Sequence, residues 1–254
     1  MEILFHQRTI RIFSFLWLFL GALALTAAAA ENGVVMNVTG TLTAKSTDGT
    51  LRVLTPKATV AAGETLITGR ESYARIKFPD GGEISLRPDS HFKILSFHFD
   101  EQQPEKDSAG FNLLKGSLRA LSGLVGKRSD PDAYQMKTLA ATAGIRGTNF
   151  GLLLCQGDCA HIPTPSGAPP ADGLHTDVEQ GTVILRNAAG SQLVHAGEFS
   201  HVKDAQTAPV LVPKEQGIKI EIPSHVNAGW AKANQDSSRD SPSPAAKALE
   251  CPPR

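Results

Sequence analysis

Cysteine, aromatic residues and net charge are all scarce in this chain. It has 254 residues but only three cysteines, and Phe, Trp and Tyr together make up 6% of it. Three cysteines are too few to build a fold from disulfides, so the fold must depend on an apolar core. Lys and Arg balance Asp and Glu at 25 each. A nucleic-acid partner would need a clustered basic surface, and this balance argues against one.

The usual signatures of enzymes and metal proteins are also missing. The chain contains neither a Gly-x-Ser-x-Gly nucleophile motif nor a His-Glu-x-x-His zinc motif. Residues 122–128 match a phosphate-binding loop only in part, because a leucine stands where its first glycine should be. We therefore predict a protein that is not an enzyme, with no catalytic residues, no metal site and no cofactor.

The first 30 residues have the features of a secretory signal peptide. Arg8 and Arg11 supply a basic start, residues 12–25 form an almost uninterrupted apolar run, and residues 28–30 are alanines suited to cleavage. The apolar run is short for a membrane span, which needs about 20 residues. A retained anchor is the alternative. We predict a periplasmic or secreted protein without stable membrane insertion after cleavage.

Alternation of apolar and polar residues dominates the body of the chain. Residues 73–78 and 84–87 show it clearly, and a turn-forming run, Pro-Asp-Gly-Gly, separates them at residues 79–82. Short alternating runs that end at glycines indicate an all-β domain. No apolar stripe with helical spacing persists over four turns.

A faint internal repeat accompanies these strands. Gly-Thr or Gly-Ser followed by alternating residues occurs at Gly40, Gly116 and Gly181, and the first and last copies close on Ala-Gly-Glu. Such units can stack as a short β-solenoid or β-roll, or they can pair as the hairpins of a sandwich of short strands. Three loose copies leave these architectures open.

Two segments interrupt the strand pattern. Residues 155–173 are rich in proline and glycine, and a loop of that length inside a domain is usually functional or disordered. Residues 224–254 are polar and have too little apolar content to fold alone, so we predict a disordered C-terminal tail. Cys251 lies in this tail, where it is either an unpaired thiol or an intermolecular link.

Cys155 and Cys159 frame the start of the long loop. Gly157 between them allows a bend that brings the two Cα atoms within disulfide range, and an oxidising compartment favours the bond. We therefore predict a Cys155–Cys159 disulfide. The alternatives are free thiols, or a metal site that also uses His161 and His175, although Cys-x3-Cys-x-His is not a standard zinc spacing.

Four segments in a fixed order resemble a FecR domain. They are residues 61–94, 111–121, 137–154 and 178–202, and the third, with its Arg-Gly-Thr-x-Phe run, is the most recognisable. The resemblance implies an extracytoplasmic all-β module. We expect it over residues 31–203, with residues 155–173 as an inserted loop and residues 204–223 as a terminal extension.

The resemblance also suggests a setting for the protein. In the best-known FecR proteins, a membrane-spanning regulator links an outer-membrane receptor to a sigma factor. Only about 11 residues precede the apolar run here, so we do not expect the cytoplasmic anti-sigma region of those regulators.

Arg146, in the third segment, stands among small and apolar residues. Strand alternation would place it on one face with Gly144, Thr148 and Phe150, and would place Gly147 on the other face. A buried guanidinium requires carbonyl or carboxylate acceptors, so we expect Arg146 to be an internal clamp. The alternative is a site for a small anion or a metal complex centred on Arg146.

These features together predict an exported, non-catalytic FecR-like module that binds a protein or a cell-envelope component, with a role in signalling. Binding would use the domain surface or the loop at residues 155–173. The alternatives are the ligand sensor centred on Arg146 and an enzyme with an unrecognised site.

Cleavage of the leader is the first testable expectation. The basic, apolar and Ala-Ala-Ala succession predicts a mature N-terminus near Glu31. Intact-mass and N-terminal peptide analysis of the exported protein checks it. Recovery of most exported molecules with residues 1–30 still attached would contradict cleavage.

Overall fold

The computed structural model describes residues 32–128, residue 130 and residues 132–229. The predicted signal peptide, most of the predicted tail and Cys251 lie outside these residues. None of the helices within the described ranges is long and apolar enough to cross a membrane.

Fifteen strands of the described chain join one hydrogen-bonded sheet. The strands are β1 (Gly33–Thr39), β2 (Leu42–Lys45), β3 (Leu51–Val53), β4 (Thr59–Val60), β5 (Thr65–Thr68), β6 (Tyr73–Lys77), β7 (Glu83–Leu86), β8 (His91–His98), β9 (Ser108–Leu121), β10 (Tyr134–Lys137), β11 (Thr142–Cys155), β12 (Gly173–Asn187), β13 (Gly190–His195), β14 (Phe199–Val202) and β15 (Val210–Val212). The helical parts are a 3₁₀ turn at Pro104–Lys106, helix α1 (Val125–Arg128) and residues 224–229. The all-β prediction is confirmed.

The alternating sequence pattern positions the core. On β6, Ala74 and Ile76 are fully buried, and Phe78 directly after the strand is nearly so. β6 pairs with β7 in register from Ala74 opposite Leu86 to Lys77 opposite Glu83. The predicted turn closes this hairpin, because the Phe78 amide donates to the Gly82 carbonyl at 2.8 Å.

Five of the nine aromatic residues that the structure describes lie in one place. Phe78, Phe92, Phe97, Phe111 and Tyr134 form a cluster whose ring centroids are 4.9–6.5 Å apart. The rings belong to a single hydrophobic core to which strands from β1 to β14 contribute. A low aromatic content therefore suffices, because the rings are concentrated where they bury the most surface.

Glycines with positive φ turn the long strands around corners. Gly116 in β9, Gly147 in β11 and Gly181 in β12 have φ values of 80°, 60° and 81°. β9 illustrates the result, because it pairs with β8 before Gly116 and with β7 after it. Strands that continue around corners form a rolled sheet rather than the two separate sheets of a sandwich.

The internal repeat of the sequence marks these corners. All three repeat starts, Gly40, Gly116 and Gly181, are glycines with φ between 77° and 81°. Residues with a side chain rarely adopt such angles. Each repeat start therefore marks a sharp change of strand direction.

The C-terminal part of the described chain packs against the sheet. β15 extends the sheet by pairing with β14. Beyond it, Ile218 and Ile220 are buried against Leu153, and Val226 in the helical residues 224–229 is buried with Ile222. Residues 224–229, at the start of the predicted tail, are therefore helical, because apolar side chains at residues 222 and 226 give them a packing surface.

The closest backbone approach at a corner gives a stability prediction. A Cβ on Gly181 would lie 2.4 Å from the Gly147 carbonyl oxygen, whereas a Cβ on Gly197 would meet nothing within 4 Å. Both residues have φ above 80°, so replacement by alanine costs each about 1–2 kcal/mol in backbone strain. The clash should cost Gly181→Ala about 1–3 kcal/mol more.

Urea unfolding of the two variants and the wild type measures this difference. Gly197→Ala is the matched control for the backbone angle. Equal loss of stability in both variants would show that the corner does not depend on close contact between β11 and β12.

Candidate functional site

Arg146 is exposed, so the prediction that it is an internal clamp is wrong. Its guanidinium has no hydrogen-bond or ion-pair partner in the part of the chain that the structure describes. Only its backbone takes part in local structure, where the amide donates to Thr148 Oγ1 at 3.2 Å. An exposed arginine of this kind also offers no enclosed site for an anion or a metal complex.

A bulge explains why strand alternation failed here. The pairing of β11 with β12 shifts register between Arg146 and Asn149, and Gly147 adopts φ 60°. The side chains after the bulge therefore change face, and Phe150 is buried although Arg146 is not. Gly144, before the bulge, is buried opposite Ile184 of β12.

Thr148 fixes the bulge through its hydroxyl and its backbone. Its hydroxyl donates to the Thr182 carbonyl of β12 at 3.0 Å. Its amide donates to Ser122 Oγ at 2.8 Å, and the Ser122 amide donates back to the Thr148 carbonyl. The Arg-Gly-Thr run is therefore a structural corner that joins β9, β11 and β12.

The internal clamp of this fold is Arg119 on β9. Its side chain is only 12% exposed, and its Nη1 donates to Asp177 Oδ2 at 2.8 Å and to the Ile220 carbonyl at 2.9 Å. Nη2 donates to Glu179 at 2.7 Å, and Nε donates to Asn149 Oδ1 at 2.9 Å. One guanidinium thus ties together β9, β11, β12 and the C-terminal segment.

Asp177 is the buried partner in this arrangement. Its side chain is 4% exposed, and its second oxygen accepts from the Ile220 amide at 3.1 Å. Burial raises the pKa of the Asp177 carboxyl, and the hydrogen bond and charge of Arg119 oppose that rise. The pair therefore compensates for the burial of both charges and holds the chain at Ile220 on the sheet.

The predicted disulfide between Cys155 and Cys159 is confirmed, with Cα atoms 5.5 Å apart. Neither sulfur is therefore a free thiol or a thiolate ligand for a metal. The bridge packs in a small hydrophobic cluster with Leu153, Ile218 and Ile220. The start of the long loop is thus fixed to the same C-terminal segment that Arg119 holds.

Two histidines fix the far end of the loop. The rings of His175 and His201 stack with centroids 4.5 Å apart. His175 Nε2 lies 2.8 Å from the Ala171 carbonyl, and His201 Nε2 lies 2.9 Å from the Asp172 carbonyl. Burial lowers the pKa of His175, so a neutral ring that donates from Nε2 fits this contact.

A cleft of about 680 Å³ opens beside the loop. We call it the loop cleft. Its walls are the turn before β6 with Arg70 and Glu71, residues 87–89 after β7, loop residues 161–163, and His225 of the C-terminal helical residues. The loop that the sequence singled out for binding is therefore one wall of the cleft, whereas Arg146 does not line it.

Three buried hydroxyl residues brace the strand ends at the loop cleft, and one of them, Ser117, lines it. Thr68 Oγ1 accepts from the Ser90 amide at 2.9 Å and donates to the Arg87 carbonyl at 2.7 Å. Ser90 Oγ accepts from the Ser117 amide at 2.9 Å and donates to the Ser117 carbonyl at 2.8 Å. These bonds hold the ends of β5, β7 and β8 against β9, so the cleft wall at residues 87–89 and Ser117 is preformed.

The FecR-like motifs of the sequence supply these three hydroxyl residues. Thr68 comes from the Thr-Gly step, Ser90 from the Pro-x-Ser turn, and Ser117 from the Gly-Ser start of the central strand. Gly116 must lack a side chain, because a Cβ there would lie 2.5 Å from Ser90 Oγ. The residues that carry the resemblance thus shape the cleft.

Comparison with known proteins supports the resemblance. Residues 64–162 match the family model described as FecR protein, which confirms the FecR prediction for that segment. The predicted domain bounds of 31–203 stay a prediction, although strands from residue 33 to residue 212 share the sheet. No curated protein sequence matches the chain.

Solved structures that align with this chain include two crystal structures of a candidate anti-sigma factor from Parabacteroides distasonis ATCC 8503, at 2.50 Å and 1.65 Å resolution. Both align with a TM-score of 0.43, at 12% and 11% sequence identity. Each alignment spans little more than half of either protein, 58% of this chain and 58% of that chain.

Arg119 and Arg146 provide a matched test of the clamp. Arg119→Ala leaves the buried carboxylate of Asp177 without its cation, and breaking a buried pair costs roughly 3–5 kcal/mol. Arg119→Lys should not restore the wild-type stability, because an ammonium cannot reproduce the contacts of the fork. Arg146→Ala should change stability by less than about 0.5 kcal/mol, as for an exposed side chain.

Urea unfolding at neutral pH measures the free energy of unfolding for all three variants. Equal stability of Arg119→Ala and Arg146→Ala would rule out the clamp at Arg119.

Proposed function

Since residues 64–162 carry a FecR-family match, we propose that this chain is an exported, non-catalytic module that binds a protein partner of the cell envelope in a signalling role. The loop cleft is the binding site. The observation that carries this proposal is the construction of the cleft, in which the disulfide-pinned loop and the FecR-like motif residues meet.

The size and rigidity of the loop cleft suit a segment of a protein partner. Binding sites for small ligands and side-chain anchors typically have volumes of about 300–1,000 Å³, and the cleft, at about 680 Å³, is within that range. The hydroxyl bonds beside the cleft and the disulfide keep its walls in place before binding. A preformed site loses little conformational entropy on association, which favours affinity.

Export is supported by two independent features. The N-terminal residues have the order of a secretory signal, and the Cys155–Cys159 disulfide is typical of oxidising compartments. A binding role rather than catalysis is supported by the FecR match and by the lack of common hydrolase motifs in the sequence.

Site-specific photo-cross-linking in the producing cell tests the proposal. A benzophenone amino acid replaces Ile162, which lines the loop cleft. The control position is Leu193 on β13, an exposed residue outside the cleft. We expect one discrete adduct from position 162 and none from position 193, with the captured protein identified by mass spectrometry.

Binding must then be shown with purified components. Ile162→Glu should weaken the affinity of the mature protein for the captured partner at least tenfold, whereas Leu193→Glu should leave the affinity unchanged. Binding at the cleft would be contradicted by a partner that cross-links equally from both positions. It would also be contradicted by a partner that binds Ile162→Glu with wild-type affinity.

A further inference from the structure

Arg87 is a half-buried cation in the loop cleft that lacks an acceptor. Its Nε is shut off from solvent and has no hydrogen-bond partner, and its terminal nitrogens bond to none of the described residues. The backbone on either side is fully engaged, because the Arg87 amide donates to Ser117 and its carbonyl accepts from Thr68. The guanidinium is therefore held in place without a partner.

The other half-buried arginines show how unusual this is. Arg75 donates to Asn37 Oδ1 at 2.8 Å, and Arg119 has acceptors on three of its nitrogens. Of the carboxylates, Asp177 acts electrostatically on Arg87, but Asp177 already binds Arg119. Burial lowers the pKa of Arg87. An unsatisfied buried charge is costly, and an anion in the cleft would offset that cost.

The charges around the loop cleft select the kind of anion. Arg70 and Arg87 line the cleft together with Glu71 and Asp89, so the four formal charges cancel. A phosphate dianion would add to the negative side and meet two carboxylates. A carboxylate carries one charge, and its two oxygens match the fork of a guanidinium.

We propose that Arg87 anchors the bound partner by pairing with one of its carboxylates in the loop cleft. The proposal rests on the proposed function and adds the chemical class that the site recognises. The carboxylate comes either from an acidic side chain or from a chain terminus, and the two sources differ in how a peptide probe must be built.

Four probes separate these sources from other anions. They are acetyl-Gly-Asp-Gly-amide, acetyl-Gly-Gly-Gly with a free C-terminus, acetyl-Gly-Asn-Gly-amide as the neutral control, and inorganic phosphate. Each is titrated into the mature full-length protein while the arginine Nε–H signals are followed by NMR. We expect the Arg87 signal to shift with one or both carboxylate peptides and not with the asparagine peptide.

Two substitutions at Arg87 test the role of its fork. Arg87→Gln should weaken binding of the carboxylate peptide at least tenfold, and Arg87→Lys should weaken it as well, because an ammonium lacks the paired donors. Arg146→Gln, which removes an exposed arginine outside the cleft, should leave the affinity unchanged. If the Arg87 variants do not fold, the signal of Arg87 in the wild type still decides the question.

The outcomes separate this inference from the function on which it rests. Tighter binding of phosphate than of the carboxylate peptides, or equal binding of the asparagine peptide, would overturn the anchor. A partner that cross-links at position 162 but binds Arg87→Gln with wild-type affinity would overturn the anchor alone. Failure to capture any partner would overturn the proposed function. The peptide titration would still test whether Arg87 binds a carboxylate.

Discussion

The pairing of Arg119 with Asp177 is the interaction on which the rest of the structure depends. It links the central strand β9 to β12 and fixes the backbone at Ile220 through both partners. Gly151 makes room for it, because a Cβ there would lie 2.2 Å from Asp177 Oδ1. Since Ile222 and His225 follow Ile220 closely in the chain, the pair also sets where the C-terminal segment meets the loop cleft.

The glycine corners of the sheet also shape the loop cleft. A strand that turns at Gly116 brings the backbone of Ser117 beside the Ser90 hydroxyl, and Ser117 then lines the cleft. The strain at the rim is visible in Glu71 and Asp89, whose φ values of 53° and 54° are unusual for residues with side chains. Such angles persist only where the surroundings enforce them, and they cluster at functional sites.

Local features of this fold could be predicted from the sequence, whereas long-range ones could not. The β6–β7 hairpin and the disulfide depend on residues a few positions apart, so alternation, turn chemistry and cysteine spacing were sufficient. Simple alternation through Gly147 predicts a clamp at Arg146, but a bulge at Gly147 reverses the faces. The hydrogen-bond acceptors of Arg119 lie 58 and 101 positions away in the sequence. No local sequence pattern predicts such contacts.

Stability and recognition are separated in this molecule. The aromatic core and the Arg119 pair hold the sheet, and neither needs an outside partner. In the loop cleft, by contrast, Arg87 is fixed by backbone bonds while its side chain stays unsatisfied. A fold can keep such a group only if the rest of the domain is stable enough to compensate for it. The loop, pinned at Cys155 and again at His175, forms one wall of the cleft that Arg87 also lines. That arrangement is expected of a site whose final partner is supplied by another molecule.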